Sequence, residues 1–394
     1  MNILYIWDSD YPWDVRVEKI CKSLFKHGYN VHIAARNLKR LPIYEKVEGL
    51  HIHRLKTLKH DLLNSAASFP IFFSPVWKSF LNTLIHNNDI EIIIVRDLPM
   101  SAAGIWAGRK KQIPVIFDMA ENYVAMLRCI WKRRKYEGFN FIIRNPYIAK
   151  YVERYVLKNV EHIFVVVEET RDKVLQEGVS SEKVTIIRNT PPLEVFDDHK
   201  IQLNNNLKLI KERFSAIYTG GIQMGRGIHV VLDAIPEIIK EISDFLFVII
   251  GDGYATEYFK KIITSRNLQD HVLWLGWVDH KNIYDYIRVS KIGLIPHLVT
   301  EHVNTTIPNK IFDYMGFNLP IIATEAAPII RILREEKCGV TYKDRDTKDL
   351  LRALLEIYNN ISNFGNNGAR AVRFKYNWGM DEKRLLIALE NIKL

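Results

Sequence analysis

Two series of short apolar segments, each separated by longer amphipathic segments, constrain the fold of this chain most strongly. The first series consists of NILYIWD, NVHIAAR, EIIIVRD, PVIFDMAE and HIFVVVEE, with helical patterns between them, such as residues 15–27 and 102–111. Strands that are apolar throughout are buried on both faces, as in parallel sheets covered by helices. The alternation therefore predicts an α/β fold in which parallel strands are joined by crossover helices.

The second series begins after a break in this pattern. The break, NTPPLEVFDDHKIQLNNNLK, carries paired prolines and polar residues that are typical of a linker, and the strands FSAIYTGG, FLFVIIGDG, VLWLGWV, IGLIPH and LPIIAT follow it. A chain of 394 residues is long enough for two domains. We predict domains at residues 1–190 and 200–378, followed by an amphipathic terminal helix at 379–394.

Composition excludes several classes of protein. The three cysteines form no CxxC pair, so neither a disulfide framework nor a zinc cluster is expected. The beginning of the chain has the pattern of a first strand and not of a signal peptide, and the apolar stretch 62–84 is too often interrupted by polar residues to span a membrane. The net charge of +10 predicts an acidic partner. No recognition motif for nucleic acid is present, so we expect none to bind.

Glycine-rich strand ends in the second half are candidate anion sites, because ligands of parallel sheets bind where strands end and helices begin. In YTGGIQMGRG, Gly220 and Gly221 allow close approach of the backbone, and Arg226 stands where a helix begins. A second such turn lies at Gly251 and Gly253. The alternative is that these glycines only form tight turns and that the arginine is solvated.

The segment TTIPNKIFDYMG is more informative. Pro308 suits the first turn of a helix, Lys310 would lie over the exposed amides at its start, and Asp313 lies one turn later on the same face. A phosphate requires the cation, and paired sugar hydroxyls can donate to the carboxylate. The alternative is an exposed Lys–Asp pair within one helix.

The second half resembles glycosyltransferase family 4, the retaining GT-B enzymes. The resemblance rests on the glycine loop with RG, the GDG turn, the LGWV strand end and the PNKIFDYM helix followed by LPIIAT. The first half resembles the family more loosely, through DVRVEKICKSLFKHGYNV, IIIVRD and VIFDMAEN. The resemblance implies two Rossmann-like domains that face each other across a cleft, with the terminal helix crossing back onto the first. It also implies transfer of a sugar from a nucleoside diphosphate sugar with retention at the anomeric carbon.

The resemblance assigns binding of the donor diphosphate to Arg226 and Lys310 and binding of the ribose to Asp313. It assigns contact with the base to the main chain near Trp277. Asn309, in the same PNK motif, is also assigned to the donor site.

The chain departs from the family at three positions. Thr305 replaces the first carboxylate of the E-x7-E pair, so sugar contacts are expected to shift to Thr305, Thr306 or main-chain amides. Gly221 stands where many relatives carry arginine, and Ala120 replaces the histidine of DxHE in DMAE.

Charged residues at the strand ends of the first half are candidates for the acceptor side. They are Asp14, Arg16, Arg96, Asp97, Asp118 and Glu121. Glu121 is the preferred group for orienting the acceptor hydroxyl or the transferring sugar, and Arg16 is a candidate for an acceptor phosphate. For each of them, a helix cap or a buried ion pair is the alternative.

The substrates and the location follow as expectations. We expect a UDP-sugar as donor, a lipid-linked glycan acceptor, no cofactor and no metal, since no DxD-like carboxylate cluster is evident. The basic and aromatic segment 127–144 predicts peripheral binding to an anionic membrane, on the cytoplasmic face, and the aromatics of 62–84 are candidates for a groove that holds the lipid tail. The alternative is that both segments face the core. The rival functions are a GT-B sugar-nucleotide 2-epimerase and a catalytically silent scaffold.

Overall fold

The computed structural model describes residues 1–12, 14–69, 71–134, 140–197 and 201–392, without the side chains of 132–134, 140, 280, 281 and 361–363. The chain divides into two compact units. Unit 1 comprises Met1–Asn189 and Asp381–Leu394, and unit 2 comprises Thr190–Met380.

Unit 1 is built on an eight-stranded sheet. Its strands are β1 (Asn2–Asp10), β2 (Asn30–Arg36), β3 (Tyr44–Val47), β4 (Leu50–Arg54), β5 (Ile92–Arg96), β6 (Val115–Met119), β7 (His162–Val165) and β8 (Val184–Ile186). They follow the order β3-β4-β2-β1-β5-β6-β7-β8, and every pair is parallel except the β3–β4 hairpin.

Helices connect these strands. They are α1 (Val15–Lys26), α2 (Asp61–Ala67), α3 (Pro75–Asn87), α4 (Leu98–Arg109), α5 (Tyr123–Arg134), α6 (Asn140–Ile143), α7 (Pro146–Asn159) and α8 (Glu168–Gln176). The central strands are apolar and buried along their length, as in Ile92–Arg96, whose first four residues are 0 % exposed. The core of the unit therefore lies on both faces of the sheet.

Unit 2 contains a six-stranded sheet that is parallel throughout. Its strands are β9 (Phe214–Thr219), β10 (Phe245–Ile250), β11 (Val272–Gly276), β12 (Ile292–Ile295), β13 (Ile321–Thr324) and β14 (Gly339–Tyr342). Its helices are α9 (Asn205–Glu212), α10 (Ile228–Glu241), α11 (Thr256–Ser265), α12 (His280–Val289), α13 (Lys310–Gly316), α14 (Ala327–Glu336), α15 (Thr347–Asn359) and α16 (Ile361–Phe374). The last helix, α17 (Trp378–Glu390), runs from unit 2 into unit 1.

The strand order of unit 2 fixes where a ligand binds. The order β11-β10-β9-β12-β13-β14 is the doubly wound 3-2-1-4-5-6 arrangement, and the connections reverse direction between the adjacent strands β9 and β12. Next to such a reversal the two crossover helices lie on opposite faces, which leaves a crevice at the carboxyl ends of the strands. The predicted pair of parallel-sheet α/β domains is confirmed.

Four strands and one helix have no counterpart in the sequence prediction. The hairpin of β3 and β4 turns at Glu48 and Gly49, which have φ values of 50° and 87°, and a Glu-Gly pair is a weaker turn signal than Asn-Gly. Strands β8 and β14 are short edge strands with polar residues, and α9 lies inside the segment predicted as a linker. Helix α9 forms because Leu207 and Ile210 share one face and are buried.

The end of the chain packs into unit 1. Leu385 and Leu389 of α17 are buried, while Leu386 is half-buried. Asp381, which is 0 % exposed, lies 4.0 Å from Arg188 and accepts a hydrogen bond from Arg384 at 2.7 Å.

Among the described residues, no helix is both long and apolar enough to cross a membrane.

Candidate functional site

The turns after β9, β10 and β11 form one interlocked floor in unit 2. The amide of Gly220 donates to the carbonyl of Ile250 at 2.9 Å, and the amide of Gly251 donates to that of Gly276 at 2.7 Å. Gly251 has a φ of 141°, and a Cβ there would lie 2.0 Å from the carbonyl oxygen of Gly220. A Cβ at Gly253 would lie 2.3 Å from the oxygen of Ile222. These glycines are thus required by close backbone packing, whereas a Cβ at Gly221 would meet nothing within 4 Å.

The arginine loop is fixed to the neighbouring strand end. Met224–Arg226 forms a single 3-10 turn, and α10 begins two residues after Arg226, at Ile228. Gly227 has a φ of 69°, and a Cβ there would lie 1.7 Å from the carbonyl oxygen of Pro296, which follows β12. Any side chain at Gly227 would therefore displace the loop that carries Arg226.

Helix α13 brings a lysine to the same strand ends. The helix begins at Lys310, with the exposed Asn309 as its N-cap, so Pro308 lies just before the helix and not in its first turn. A Cβ at Gly220 would lie 3.1 Å from Lys310 Nζ. Lys310 is thus placed directly over the β9 turn, and the half-buried Asp313 follows one helical turn later.

Lys310 and Arg226 form a cationic site. Lys310 Nζ lies 3.7 Å from the centroid of the Tyr218 ring. Burial, and then the guanidinium of Arg226, lowers the pKa of Lys310 well below its usual range, and Asp313 opposes this shift. Within the described part of the chain, neither cation has an ion-pair partner. Two neighbouring cations that have no ion-pair partner among the described residues favour an anionic ligand with more than one charge.

The remaining donor-side candidates also lie in unit 2. The hydroxyls of Thr305 and Thr306 donate to the carbonyl of His302, each at 3.1 Å, so both are engaged with their own main chain. Trp277 is 76 % exposed and follows Gly276, which has a φ of 70°. The indole is thus free of the core at the end of β11.

In unit 1, Asp14 and Arg96 have structural roles. The carboxylate of Asp14 caps α1 by accepting from the amides of Arg16 and Val17 at 2.9 and 3.2 Å. Arg96 pairs with Asp14 and lies 4.2 Å from the centroid of the Trp7 ring. The cap and the ion pair are the alternative that the sequence left open for this type of residue.

Arg16 and Asp118 form a buried pair. Their side chains are 2 % and 0 % exposed. Arg16 Nε donates to both carboxylate oxygens of Asp118 at 3.0 Å, and Arg16 Nη1 donates to the carbonyl of Ile187 at 2.9 Å. Tyr5 donates to the same carboxylate at 2.7 Å. The expectation that Arg16 meets an acceptor phosphate is therefore corrected, because its guanidinium is enclosed and engaged inside unit 1.

Asp97 and Glu121 lie together at the ends of β5 and β6. The amide of Glu121 donates to Asp97 Oδ1 at 3.1 Å. Burial raises the pKa of Asp97 to about 8, against the opposing effect of Arg96 and with a further increase from Glu121. Burial likewise raises the pKa of Asp8, at the end of β1, to about 6. Ala120, which follows β6, is 9 % exposed.

Two residues of the cationic site have no counterpart in the sequence prediction. Tyr218 lies beneath Lys310, and the buried His297 has Nδ1 3.4 Å from Arg226 Nη1. Both lie at the ends of predicted strands, IYTGG and IGLIPH, so the rule that ligands bind at strand ends would have identified them. The described residues contain no group of three or more His, Cys, Asp or Glu residues arranged to hold a metal ion.

Comparison with known proteins places both units in related families. Residues 14–190 match the family model "Glycosyl transferase 4-like domain", and residues 213–360 match "Glycosyl transferases group 1". The chain is 22 % identical over 219 residues to the alpha-D-kanosaminyltransferase of Streptomyces kanamyceticus, covering 53 % of this chain and 55 % of that protein. It is 22 % identical over 267 residues to the alpha-monoglucosyldiacylglycerol synthase of Streptococcus pneumoniae, covering 66 % and 57 %. The matches thus span little more than half the length of these curated relatives.

Solved structures share the fold over the whole chain. The sucrose-phosphate synthase of Thermosynechococcus elongatus superposes with a TM-score of 0.77 at 15 % identity, covering 99 % of this chain and 98 % of that one. Alr3699/HepE of Anabaena, solved in complex with UDP, superposes with a TM-score of 0.72 at 11 % identity, covering 100 % of both chains. These likenesses establish the GT-B fold.

Proposed function

We propose that this chain, which belongs to the family 4 type of glycosyltransferases, transfers a sugar from a nucleoside diphosphate sugar to an acceptor hydroxyl. The observation that carries the proposal is the pair of cations at the strand reversal of unit 2. Arg226 and Lys310 have no ion-pair partner in the described part of the chain, and the departing nucleoside diphosphate is the anion that such a pair stabilises.

The other donor-side residues hold the nucleoside in this proposal. Asp313 accepts from the ribose hydroxyls, and the main chain near Trp277 meets the base. Retention at the anomeric carbon is proposed from the family resemblance.

The donor we propose is a UDP-sugar. The support is that Alr3699/HepE of Anabaena, which shares the fold, was solved with UDP. Metal independence is also part of the proposal, because two side-chain cations supply positive charge next to the diphosphate. Turnover that is unchanged by excess EDTA would support it, and turnover that EDTA abolishes and Mg²⁺ restores would contradict it.

On the acceptor side we propose Glu121 and Asp97. The raised pKa keeps Asp97 protonated at neutral pH, so that it can donate a hydrogen bond while Glu121 orients the acceptor hydroxyl or the transferring sugar. The matched variants are Glu121→Gln and Glu169→Gln, the latter in the first turn of α8. A loss of turnover in the first alone supports the role of Glu121.

The acceptor we propose is a lipid-linked glycan at the cytoplasmic face of a membrane. The S. pneumoniae relative is named for a glucosylated diacylglycerol. Unit 1 exposes apolar side chains on α6 and α7, namely Phe141, Ile142, Tyr147 and Tyr151, which are 58 %, 64 %, 79 % and 75 % exposed. Exposed apolar groups that adjoin basic residues suit a peripheral membrane surface.

Several residues of the two predicted membrane segments do not support this surface, because they either lie outside the described residues or belong to the core. The side chains of Lys132, Arg133 and Arg134, and the whole of Lys135 and Phe139, lie outside the described residues. In the stretch 62–84, Trp77 is 0 % exposed and its Nε1 donates to the carbonyl of Ser68 at 3.0 Å, so it belongs to the core and not to a lipid groove. Leu62, Leu63 and Phe73 of that stretch remain exposed, at 88 %, 58 % and 47 %.

Sugar nucleotides are the first test of the proposed activity. A nucleotide sugar that binds only the folded protein raises its melting temperature by mass action. A stabilising nucleotide sugar is then incubated with the protein, and the products are identified by mass spectrometry. Slow hydrolysis or transfer to an acceptor supports the proposal. A change in the configuration of the sugar at C2 without hydrolysis would support the epimerase instead, and binding without any reaction would support the scaffold.

Liposome co-sedimentation tests the membrane part of the proposal. Replacing Tyr147 and Tyr151 by serine is expected to weaken binding to anionic vesicles, whereas the same change at Tyr254 and Tyr258, which are exposed in unit 2, is not. Equal binding of both double variants, or no binding of the unaltered protein at low salt, would contradict it.

A further inference from the structure

His297 stands at the strand end beside the two cations and is fixed to the sheet. It follows β12, and only 2 % of it is exposed. Oγ1 of Thr324, the last residue of the neighbouring strand β13, donates to the carbonyl of His297 at 2.6 Å.

The backbone around His297 is also fixed to the arginine loop. The amide of Leu298 donates to the carbonyl of Gly225 at 3.0 Å, and Gly227 packs against the carbonyl of Pro296. Arg226 lies between those two glycines. The chain on both sides of His297 is therefore held against the chain on both sides of Arg226, and this brings the two side chains within reach of each other.

The imidazole meets the guanidinium through one particular nitrogen. His297 Nδ1 lies 3.4 Å from Arg226 Nη1. A guanidinium can only donate, so Nδ1 must accept, which requires a neutral ring with its proton on Nε2. Burial, and then Lys310 and Arg226, lowers the pKa of His297 well below its usual range, which is consistent with the neutral form.

The other nitrogen of the ring has no partner. Nε2 is buried and makes no hydrogen bond to any described residue. A buried N–H without an acceptor is rare in folded proteins, because leaving it unpaired costs free energy. Among the described residues, the ring therefore has a single polar partner, the Arg226 guanidinium at Nδ1.

We infer that His297 is a positioning residue of the donor site: its Nδ1 holds the Arg226 guanidinium in the orientation that meets the diphosphate. The inference rests on the proposed function. Without this acceptor, the half-buried arginine side chain is free to turn away, and ordering it would oppose ligand binding. The role belongs to the neutral histidine, since a protonated ring would repel Arg226.

Three variants separate this role from simple packing. Asn places its amide oxygen near the position of Nδ1, whereas Gln reaches the position of Nε2, and Leu fills the space with no polar atom. Isothermal titration with UDP, ADP and GDP gives their affinities, and thermal melting shows whether each variant is folded.

The expected result is an ordered series for the nucleotide that binds the unaltered protein. His297→Leu and His297→Gln lose about tenfold in affinity, the size of one charge-assisted hydrogen bond, and His297→Asn stays within about threefold of the unaltered protein. In the background of Arg226→Ala, His297→Leu adds no further loss, because the group it positions is already absent.

Three results would contradict the positioning role of His297, and a fourth would contradict the proposed function. Full affinity of His297→Leu, or a further tenfold loss on top of Arg226→Ala, would overturn the positioning role while leaving the proposed function intact. Rescue by Gln and not by Asn would show that Nε2, not Nδ1, is the nitrogen that matters, and would also overturn it. If the unaltered protein binds none of the three nucleotides, the proposed function itself fails.

Discussion

Replacing Lys310 by methionine should stabilise the ligand-free protein and inactivate it at the same time. Methionine retains an unbranched, apolar side chain next to Tyr218 and removes the ammonium, which is the group that lies over the ring. Because burial and Arg226 lower the pKa of Lys310, the folded protein binds this proton less readily than the unfolded chain does. At pH values below the unfolded pKa of lysine, near 10.4, Lys310 therefore lowers the free energy of unfolding. This destabilisation is complete below the folded pKa and decreases as the pH rises from the folded to the unfolded pKa.

The magnitude follows from opposing contributions at the site. Desolvation and repulsion by Arg226 are partly offset by the contact with the Tyr218 ring, which is worth about 0.5–2 kcal/mol in proteins generally, and by Asp313. We expect a net gain on the order of 1 kcal/mol for Lys310→Met, which raises the melting temperature of a protein with units of this size by about 2–4 °C. Turnover should fall by on the order of a hundredfold or more, as when a group that stabilises developing charge is removed.

The assay compares Lys310→Met with Lys240→Met. Lys240 is a surface lysine of α10, 64 % exposed, whose Nζ lies 2.7 Å from Glu237. Thermal melting without ligand should rise for the first variant only, and the stabilisation by nucleotide sugar should disappear for the first variant only. A lower melting temperature combined with normal nucleotide binding would refute the reasoning, since Lys310 would then be an ordinary stabilising residue.

Three further predictions concern carboxylates. Asp313→Asn should weaken nucleotide binding several-fold with little effect on the turnover of bound donor, which titration calorimetry and saturation kinetics distinguish; an unchanged affinity would exclude its contact with ribose. Because the pKa of Asp97 is raised to about 8 in the folded protein, stability should fall as the pH rises from about 4 to 8, and Asp97→Asn should flatten that slope in urea denaturation; a parallel slope would contradict the shift. Asp118→Ala leaves the charge of Arg16 buried and should lower the free energy of unfolding by about 3–5 kcal/mol. The control Asp172→Ala, at an exposed position, should change it little, and an equal effect of the two variants would contradict the buried pair.

Much of the fold could be predicted because its central strands are apolar without interruption. The segments EIIIVRD and FLFVIIGDG leave no alternative to a strand buried on both faces, and β5 and β10 fall within them. The elements at the edges could not be predicted in this way. The hairpin of β3 and β4 is half solvated, so YEKV and LHIHR carry charged and histidine residues that resemble a loop.

The glycines in the floor of the candidate site could be predicted from the sequence for a different reason. Gly251 has a positive φ and backbone contacts that no side chain permits, and such glycines stand out against the apolar strands that they follow. The stacking of Lys310 on Tyr218 could not be foreseen, because it joins residues that are 92 positions apart on separate elements.

The contrast between Arg16 and Arg226 shows why a strand-end cation cannot be assigned from its local sequence. Both lie within two residues of a helix start after a strand of a parallel sheet. Arg16 meets the carboxylate of Asp118, 102 residues away, and is neutralised inside unit 1. Arg226 meets His297, whose neutral ring accepts a hydrogen bond but carries no charge. A half-buried cation that is oriented but not neutralised retains its affinity for an anion, and only long-range contacts decide which of the two states a given arginine adopts.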